Sequence, residues 1–397
     1  MHSAQLLTTK IFHYMKCYIS RKDFLIGGLF CIITMVGCQQ QHAPQTPAEG
    51  EVLAQAVSVV DTQEAAMMPA PAAEVHTVIG VGDMMLGTNY PSTSYLPPNG
   101  GKDLLAEVQD YLKNADVTFG NLEGTMFDTG GTPKTCRDPS VCYVFRTPAK
   151  YVEHYVNAGF DVLSIANNHS GDFGPEGRRK TKEVLREAGI AYAGLAGTDE
   201  YALFERNGLK YGFCAFAPNS GTCNLRDIPG AQRIVKKLAE MSDVVIVSFH
   251  GGAEGANHQH VTRKTETYVG ENRGNVYEFA HAVIDAGADI VFGHGPHVTR
   301  AVELYKDRFI AYSLGNFCTY GRFSLAGPAG IAPIVKLEID REGAFIGGEI
   351  VPIYQQKTHG PKIDPQKRAI KTIIELTKAD FPETPLSISP DGKMTKQ

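Results

Sequence analysis

The chain has 397 residues, of which 43% are hydrophobic and 20% charged, and its formal net charge is −5. This composition is ordinary for a globular protein, and the length suits one large domain or two modest ones. The balance is slightly acidic without a long basic run, so we predict no nucleic-acid partner.

The N-terminal segment has the pattern of an export signal. Basic residues precede the apolar stretch FLIGGLFCIITMV (24–36), which is too short to span a bilayer comfortably. Small residues then precede Cys38, and a polar run follows it, which resembles a bacterial lipoprotein signal. We predict a signal peptide over 1–37 with Cys38 lipidated. The exported protein would then be anchored to a membrane and would face the periplasm or the cell surface. A plain secretory signal or a membrane anchor is the alternative.

Composition divides the rest of the chain into three parts. Residues 38–74 are rich in Gln, Ala, Pro and Glu and lack aromatic residues, which predicts a flexible linker. The folded domain is predicted over 75–356. Residues 357–397 are predicted to form a helix over 367–378 and a loose tail from Pro382.

From residue 75 onward, apolar β-branched runs alternate with helical patterns. The predicted strands cover 76–81, 116–120, 161–166, 190–195, 211–217, 244–249, 289–293 and 309–314. The predicted helices lie near 102–114, 148–158, 176–188, 229–241 and 274–286. Gly159, Gly189 and Gly287 follow three of these helices, where glycine supplies the left-handed C-cap conformation. The alternation predicts an α/β fold, with an antiparallel hairpin over 332–353.

Five cysteines follow Cys38. Export permits disulfides, and cysteines close in sequence suggest the pairs Cys136–Cys142 and Cys214–Cys223. Because five is odd, at least one thiol is unpaired or pairs between chains.

Polar side chains stand where the predicted strands end. In chain order they are Asp83, Asn121, Glu123, Asn167, Asn168, His169, His250, His294, His297 and Asn316. Each one alone is typical of a turn or a surface histidine. Because α/β sheets bind ligands outside the carboxyl ends of their strands, the whole set predicts one shared site.

The residue types at this site indicate metal chemistry. Carboxylates, amides and imidazoles without cysteine suit divalent ions of the Mn, Fe or Zn class rather than a structural thiolate zinc. One or two such ions assist hydrolysis, most simply at phosphorus.

Six motifs lie over residues 76–354 in the order GDMMLG (82–87), GNLEG (120–124), ANNHSGDFG (166–174), HGGAEG (250–255), GHGPH (293–297) and YSLGNF (312–317). With them the chain resembles the CapA family of poly-γ-glutamate capsule biosynthesis proteins, in the calcineurin-like metallophosphoesterase superfamily. The resemblance implies a four-layer αββα sandwich, in which two sheets pack face to face with helices outside.

The resemblance also implies roles for single residues. The implied metal ligands are Asp83, Glu123, Asn168, His250, His294 and His297. Asn121 is the alternative to Glu123 at the bridging position. His169 is implied to protonate the leaving group or to stabilise the transition state.

Three positions depart from the family pattern. Met85 stands where a second histidine ligand is usual, Gly295 replaces the second histidine of the GHHPH motif, and Gly252 replaces a tryptophan. These departures leave open whether one or two divalent metal ions bind.

Other polar residues are candidates for support or substrate binding. Asp172 and Glu254 either orient histidines or are solvated loop charges. Asn316 either anchors a loop or contacts substrate. Four basic residues are candidates for binding an anionic substrate, with ordinary surface charge as the alternative: Lys134, Arg146, Arg178 and Arg263.

The first functional hypothesis is an exported metallohydrolase that cleaves phosphoesters. Its predicted partners are an anionic envelope polymer or a phosphorylated substrate, within a capsule-synthesis complex. A non-enzymatic polymer-binding or export factor is the second hypothesis, and a metal-dependent hydrolase of γ-glutamyl amides or glycosidic bonds is the third. The family resemblance does not select the substrate.

Overall fold

The computed structural model describes residues 74–136 and 142–397. The predicted signal peptide, Cys38 and residues 39–73 of the predicted linker lie outside this part of the chain. Within the described residues, none of the helices combines the length and the hydropathy needed to cross a bilayer.

The strands, in chain order, are β1 (His76–Met85), β2 (Val117–Leu122), β3 (Thr125–Met126), β4 (Arg146–Thr147), β5 (Val162–Ser164), β6 (Ala191–Ala193), β7 (Tyr201–Arg206), β8 (Leu209–Phe216), β9 (Val244–His250), β10 (Glu266–Tyr268), β11 (Glu271–Gly274), β12 (Ile290–His294), β13 (Val302–Tyr305), β14 (Arg308–Ala311), β15 (Asn316–Thr319), β16 (Ile331–Ile339), β17 (Phe345–Tyr354), β18 (Lys362–Ile363), β19 (Leu386–Ile388) and β20 (Lys393–Lys396). The α-helices are α1 (Gln109–Leu112), α2 (Val152–Ala158), α3 (Gly174–Glu187), α4 (Ile228–Ala239), α5 (Val276–Asp285) and α6 (Arg368–Asp380).

Two large sheets contain most of these strands. The first has the order β19-β20-β17-β16-β1-β2-β5-β6, with β15 beside β1 and β18 beside β17. The second has the order β13-β14-β12-β9-β8-β7. Strands β1, β2, β5 and β6 are parallel, and so are β8, β9, β12 and β14. The predicted hairpin is confirmed as the antiparallel pair β16–β17.

The sheets pack face to face around an aromatic core. Phe119 of β2 stacks on Phe292 of β12, with ring centroids 5.2 Å apart and planes 4° apart. Helices α1–α3 cover the outer face of the first sheet, while α4 and α5 cover the outer face of the second. In α3, the buried residues Gly177, Thr181 and Leu185 recur every four positions and so form one face toward the sheet. This arrangement confirms the predicted four-layer αββα sandwich.

The C-terminal tail is not loose, so that prediction was wrong. After α6 the chain forms β19 and β20, and β20 pairs with β17 through Gly348 and Met394. Met394 is fully buried, although its neighbours in KMTK are polar. A single apolar residue gives too little periodicity for the sequence to indicate a strand. In the structure this segment forms β20 by pairing with the edge of β17.

Two further local predictions differ from the structure. The helix predicted over 102–114 is reduced to the single turn of α1, with turns before it. Strand β7 was missed. It forms a hairpin with β8 through Asn207 and Gly208, which have φ values of 47° and 77°. Positive φ at both central residues, with the sequence Asn-Gly, is the signal of a tight hairpin turn.

One of the two predicted disulfides is present. Cys136 and Cys142 are bonded, with their Cα atoms 5.6 Å apart. Cys214 and Cys223 are instead buried free thiols within the apolar cluster under α4 and α5, so their predicted pairing was wrong. Burial raises the pKa of Cys223 to about 12, which keeps this thiol protonated and unreactive.

Candidate metal centre

The candidate site lies where the carboxyl ends of parallel strands from both sheets come together. In the first sheet, the register pairs Asp83 of β1 with Asn121 of β2 and with Asn316 of β15. In the second sheet, it pairs His250 of β9 with His294 of β12. Strand order and register therefore bring these polar residues to one rim, where α/β sheets bind ligands.

Asp83 joins residues from the two sheets. Its Oδ1 lies 3.2 Å from Nδ1 of His294 and 4.0 Å from Nδ1 of His250, and its Oδ2 lies 2.9 Å from Nδ1 of His297. Oε1 of Glu123 lies 3.9 Å from Nε2 of His250 and 3.6 Å from Nε2 of His297. Asp83, Glu123 and His297 each offer one ligand atom within 4.8 Å of the others. A single cation can bridge groups at this spacing.

Several buried polar atoms here have no hydrogen-bond partner among the described residues. They are both carboxylate oxygens of Glu123, Oδ1 of Asn168, Nε2 of His250 and both ring nitrogens of His294. A carboxylate buried without a partner is costly, and buried charges in proteins are paired or bind metals. Oxygen and imidazole donors without thiolate match divalent ions of the Mn, Fe or Zn class. The residues present therefore fit a divalent cation.

The two carboxyl groups respond to their surroundings in opposite directions. Burial raises the pKa of Glu123 well above its usual range. Burial alone would also raise the pKa of Asp83, but the adjacent rings of His294 and His297 outweigh it and lower that pKa well below the usual value. Burial opposes the charged form of His297, yet Glu123 and Asp83 raise its pKa to about 10. The metal-free centre therefore holds a proton that a cation must displace.

His250 is already a neutral imidazole, which is the form that binds metals. Burial lowers its pKa well below the usual value. The side-chain Nδ2 of Asn121 lies 3.3 Å from Nδ1 of His250 and donates to Oδ1 of Asp83 at 2.8 Å. Asn121 thus contacts both candidate ligands, and it is Glu123 rather than Asn121 that presents unpaired oxygens.

The two asparagines of the loop after β5 differ in their contacts. Asn167 donates from Nδ2 to Oδ1 of Asn121 at 3.2 Å and to the carbonyl of Leu122 at 2.8 Å. Its own Oδ1 accepts from the backbone N–H of His169 at 3.1 Å. These bonds fix the loop, while the buried Oδ1 of Asn168 has no hydrogen-bond partner among the described residues.

His169 is oriented by a carboxylate. Oδ2 of the fully buried Asp172 lies 2.8 Å from Nδ1 of His169. Burial lowers the pKa of His169, while Asp172 acts in the opposite direction. Because Nδ1 is bonded to Asp172, Nε2 is the ring nitrogen that can exchange a proton with another group.

Glu254 does not contact a histidine. It forms an ion pair with Arg273 of β11, with Oε1 and Nη1 2.9 Å apart. Arg273 is nearly fully buried, and its charge lies close enough to Glu123 and His250 to lower the pKa of both. Sequence reasoning missed Arg273, because it lies in the polar stretch ENRG without any apolar run to mark a strand end.

Asn316 supports the backbone beside the site. Its Nδ2 donates to the carbonyl of His297 at 3.2 Å and to the carbonyl of Ala329 at 3.1 Å. Its Oδ1 is buried and has no hydrogen-bond partner within the described part of the chain. Asn316 therefore anchors the loop through Nδ2, while its Oδ1 is a buried oxygen that could also bind a cation.

The structure shows what surrounds two of the three residues that depart from the family pattern. Met85 is fully buried, and its Sδ accepts the N–H of Gly87 at 3.2 Å. Gly295 has a φ of 112°, and a Cβ there would lie 2.7 Å from the carbonyl oxygen of Gly251. A histidine at position 295 would therefore require the backbone to move.

The four basic candidates do not form one anion site. Lys134 lies 2.6 Å from Oδ1 of Asp172. Arg146 donates to Asn89, Arg178 to the carbonyl of Ser220 and Arg263 to Glu383.

Comparison with known proteins adds three likenesses. The chain is 29% identical over 262 residues to "Capsule biosynthesis protein CapA" of Bacillus anthracis, covering 61% of this chain and 59% of that protein. It is 27% identical over 316 residues to "PGA biosynthesis protein CapA" of Bacillus subtilis (strain 168), covering 75% and 77%. A solved structure of a 5'-nucleotidase precursor from Thermus thermophilus aligns with 77% of this chain and 59% of its own, at 12% identity and a TM-score of 0.40.

The family comparison covers most of the site. Residues 77–320 match the family described as bacterial capsule synthesis protein PGA_cap, and this range contains every candidate ligand from Asp83 to His297. The chain spans about three fifths of the length of the Bacillus anthracis relative, 59%. The matched range exceeds half of the chain, and the chain belongs to the PGA_cap family of capsule synthesis proteins.

Proposed function

We propose that this protein is a metal-dependent hydrolase of phosphoester bonds that acts in the production of a capsule or envelope polymer. One observation carries the proposal. Asp83 and Glu123 converge with three histidines. Both carboxylate oxygens of Glu123, and ring nitrogens of His250 and His294, are buried without hydrogen-bond partners among the described residues. Such a donor set is suited to a divalent cation beside a reacting oxygen.

The ligands would be Asp83, Glu123, Asn168, His250, His294 and His297. When bound, one or two divalent cations supply Lewis acidity to the phosphoryl group and activate water. Asn121 holds Asp83 and His250 in place through its side-chain amide. Arg273 adds a buried positive charge near Glu123, which favours an anionic substrate.

His169 is the proposed proton donor to the leaving group. Its Nδ1 is bonded to Asp172 at 2.8 Å, which leaves Nε2 to carry the transferred proton. Burial lowers the pKa of His169, and a lower pKa makes the protonated imidazole a better acid. Asp172 opposes this shift and keeps the ring in one orientation.

The cellular setting is part of the same proposal. The signal pattern before Cys38 supports export and lipidation, and the composition of 38–74 supports a tether between the anchor and the domain. Relatives are named for capsule and PGA biosynthesis. We therefore propose an anionic envelope polymer or a phosphorylated precursor as substrate, and a capsule-synthesis complex as partner.

The test combines metal content with hydrolysis. The purified full-length chain is analysed for bound metals, then assayed with p-nitrophenyl phosphate and bis(p-nitrophenyl) phosphate. We expect Mn, Fe or Zn and cleavage of at least one substrate, and we expect His169→Ala to lose activity while retaining metal. A chain without metal that cleaves neither substrate would contradict the proposal.

The same preparation is incubated with poly-γ-glutamate. Release of glutamate without cleavage of either phosphoester would assign the centre to amide hydrolysis. Binding of the polymer without any cleavage would assign the domain to polymer binding.

A further inference from the structure

The two segments that flank the Cys136–Cys142 disulfide both contact Asp172. On the upstream flank, the backbone N–H of Lys134 donates to the carbonyl of Asp172 at 2.7 Å, and the Lys134 ammonium lies 2.6 Å from Oδ1. On the downstream flank, the backbone N–H of Phe145 donates to Oδ2 at 2.7 Å. The bonded pair Cys136 and Cys142 lies between these two flanks.

The same two flanks also contact the histidine that Asp172 orients. The ring of Phe145 packs on the ring of His169, with centroids 4.3 Å apart. Lys134 Nζ lies 3.5 Å from the carbonyl of Asn168, so the ammonium also reaches the loop that carries His169. Both members of the His169–Asp172 pair are therefore held by segments that the disulfide joins.

The two flanks are anchored unequally. Downstream, the carbonyl of Phe145 accepts from Oγ1 of Thr125 at 2.7 Å, and β3 pairs with β4. Upstream, residues 132–136 belong to no helix or strand, and the side chain of Lys134 is 30% exposed. The disulfide ties this weaker flank to the anchored one, since a closed loop has far fewer open conformations to explore.

We propose that Lys134 and the Cys136–Cys142 disulfide are positioning elements that hold Asp172 and, through it, His169, so that proton donation depends on the oxidation state of this disulfide. The inference rests on the proposed function of His169. Reduction breaks the S–S bond and gives two thiols. The two electrons and two protons come from a dithiol such as dithiothreitol, which becomes the cyclic disulfide. A disulfide at this position persists in the oxidising surroundings that the predicted export implies.

The first experiment uses leaving groups of different quality with the full-length chain. Phenyl phosphate has a poor leaving group and needs proton donation, whereas p-nitrophenyl phosphate has a good one. We expect the Cys136→Ser/Cys142→Ser double variant and the dithiothreitol-reduced wild type to lose kcat for phenyl phosphate by about 10-fold or more. For p-nitrophenyl phosphate we expect a loss below about threefold, with KM unchanged for both, because substrate binding does not involve the pair.

Lys134→Met should reproduce the selective loss, and Lys134→Arg should restore most of the rate. Lys182→Met is the matched control, because Lys182 forms an ion pair with Asp199 at the same 2.6 Å and is 21% exposed. Dithiothreitol should not change the double serine variant further. That variant retains the buried Cys214, Cys223 and Cys318, so the result assigns the response to the 136–142 bond. Equal losses for both substrates, or an unchanged rate after reduction, would overturn the proposal.

Hydrogen–deuterium exchange gives a readout that does not depend on activity. Reduction should speed exchange in segments 142–147 and 167–174, which contain the amides of Phe145 and Asp172, and leave β9 and β12 unchanged. Unchanged exchange in 167–174 would overturn the proposal. A chain that cleaves neither phosphoester but shows this exchange pattern would contradict the phosphoesterase function and still support the disulfide-dependent positioning of Asp172.

Discussion

The two sheets supply chemically different halves of the candidate metal centre. The first sheet and the loops after its strands contain the candidate oxygen donors Asp83, Glu123 and Asn168, which form the oxygen half. The second sheet and its loops contain the candidate nitrogen donors His250, His294 and His297, which form the nitrogen half. Strand register places part of each half, because Asp83 lies beside Asn121 and Asn316, and His250 lies beside His294. Glu123, Asn168 and His297 follow in the loops after the strands. The halves meet only because the sheets pack face to face. The local sequence therefore determines which residues follow each strand, and the packing of the two sheets brings the two halves together.

The halves also differ in how their charge is balanced. Burial leaves the carboxylate of Glu123 without a hydrogen-bond partner among the described residues, while Asp83 is stabilised as an anion by histidines of the other sheet. His250 is neutral, and His297 takes up a proton because it faces both carboxylates. The oxygen half therefore requires positive charge that the nitrogen half supplies only in part.

Phe119→Ala should have the largest effect, because it breaks the contact between the sheets. The Phe119 ring is fully buried and stacks on Phe292, so truncation should lower the free energy of unfolding by about 3–5 kcal/mol. Urea unfolding of the full-length chain measures this. Leu203→Ala is the control, since Leu203 is 46% exposed and should change stability by less than about 0.5 kcal/mol. Equal stabilities of the two variants would show that the sheets do not depend on this aromatic contact.

Asp83→Asn should have the next largest effect, because Asp83 belongs to the oxygen half and lies within 3.2 Å of both His294 and His297 in the nitrogen half. We expect metal affinity to fall by more than about 100-fold, beyond the 10–100-fold typical of residues that only support ligands. Competition with a fluorescent chelator measures the affinity. Asp116→Asn, at the opposite end of β2 beside Thr77, should leave metal affinity unchanged. Retention of full affinity by Asp83→Asn would remove Asp83 from the ligand set.

The raised pKa of His297 predicts that metal binding depends on pH. The pKa of His297 is raised to about 10, so at neutral pH the metal-free centre holds a proton there that binding must release. Affinity should therefore rise by about tenfold for each pH unit between pH 6.5 and 8.5 through this one proton, and more steeply where Glu123, whose pKa burial also raises, releases a second. Calorimetry in buffers with different ionisation enthalpies measures both the affinity and the released protons. A pH-independent affinity would contradict a protonated His297.

The sequence located the strand ends at Asp83, His250 and His294, because each of these residues follows an apolar run that local pattern reveals. It could not place Arg273 or pair Lys134 with Asp172, because those contacts join segments distant along the chain. It also mispaired Cys214 with Cys223. Closeness in sequence says nothing about side-chain direction, and both cysteines lie within an apolar cluster.

Asn316→Ala should have the smallest effect and tests whether Asn316 belongs to the oxygen half. Both contacts of its Nδ2 are to loop carbonyls, and one of them holds His297, whose φ of 56° is unfavourable for a residue with a Cβ. Loss of a hydrogen bond of this kind costs about 1 kcal/mol, so metal affinity should fall by about fivefold through a looser His297. Asn316→Asp retains the side-chain oxygen and serves as the comparison. If Asn316→Ala instead weakens binding as much as Asp83→Asn, the unpaired Oδ1 of Asn316 is a ligand, and the oxygen half has one more donor than the motifs imply.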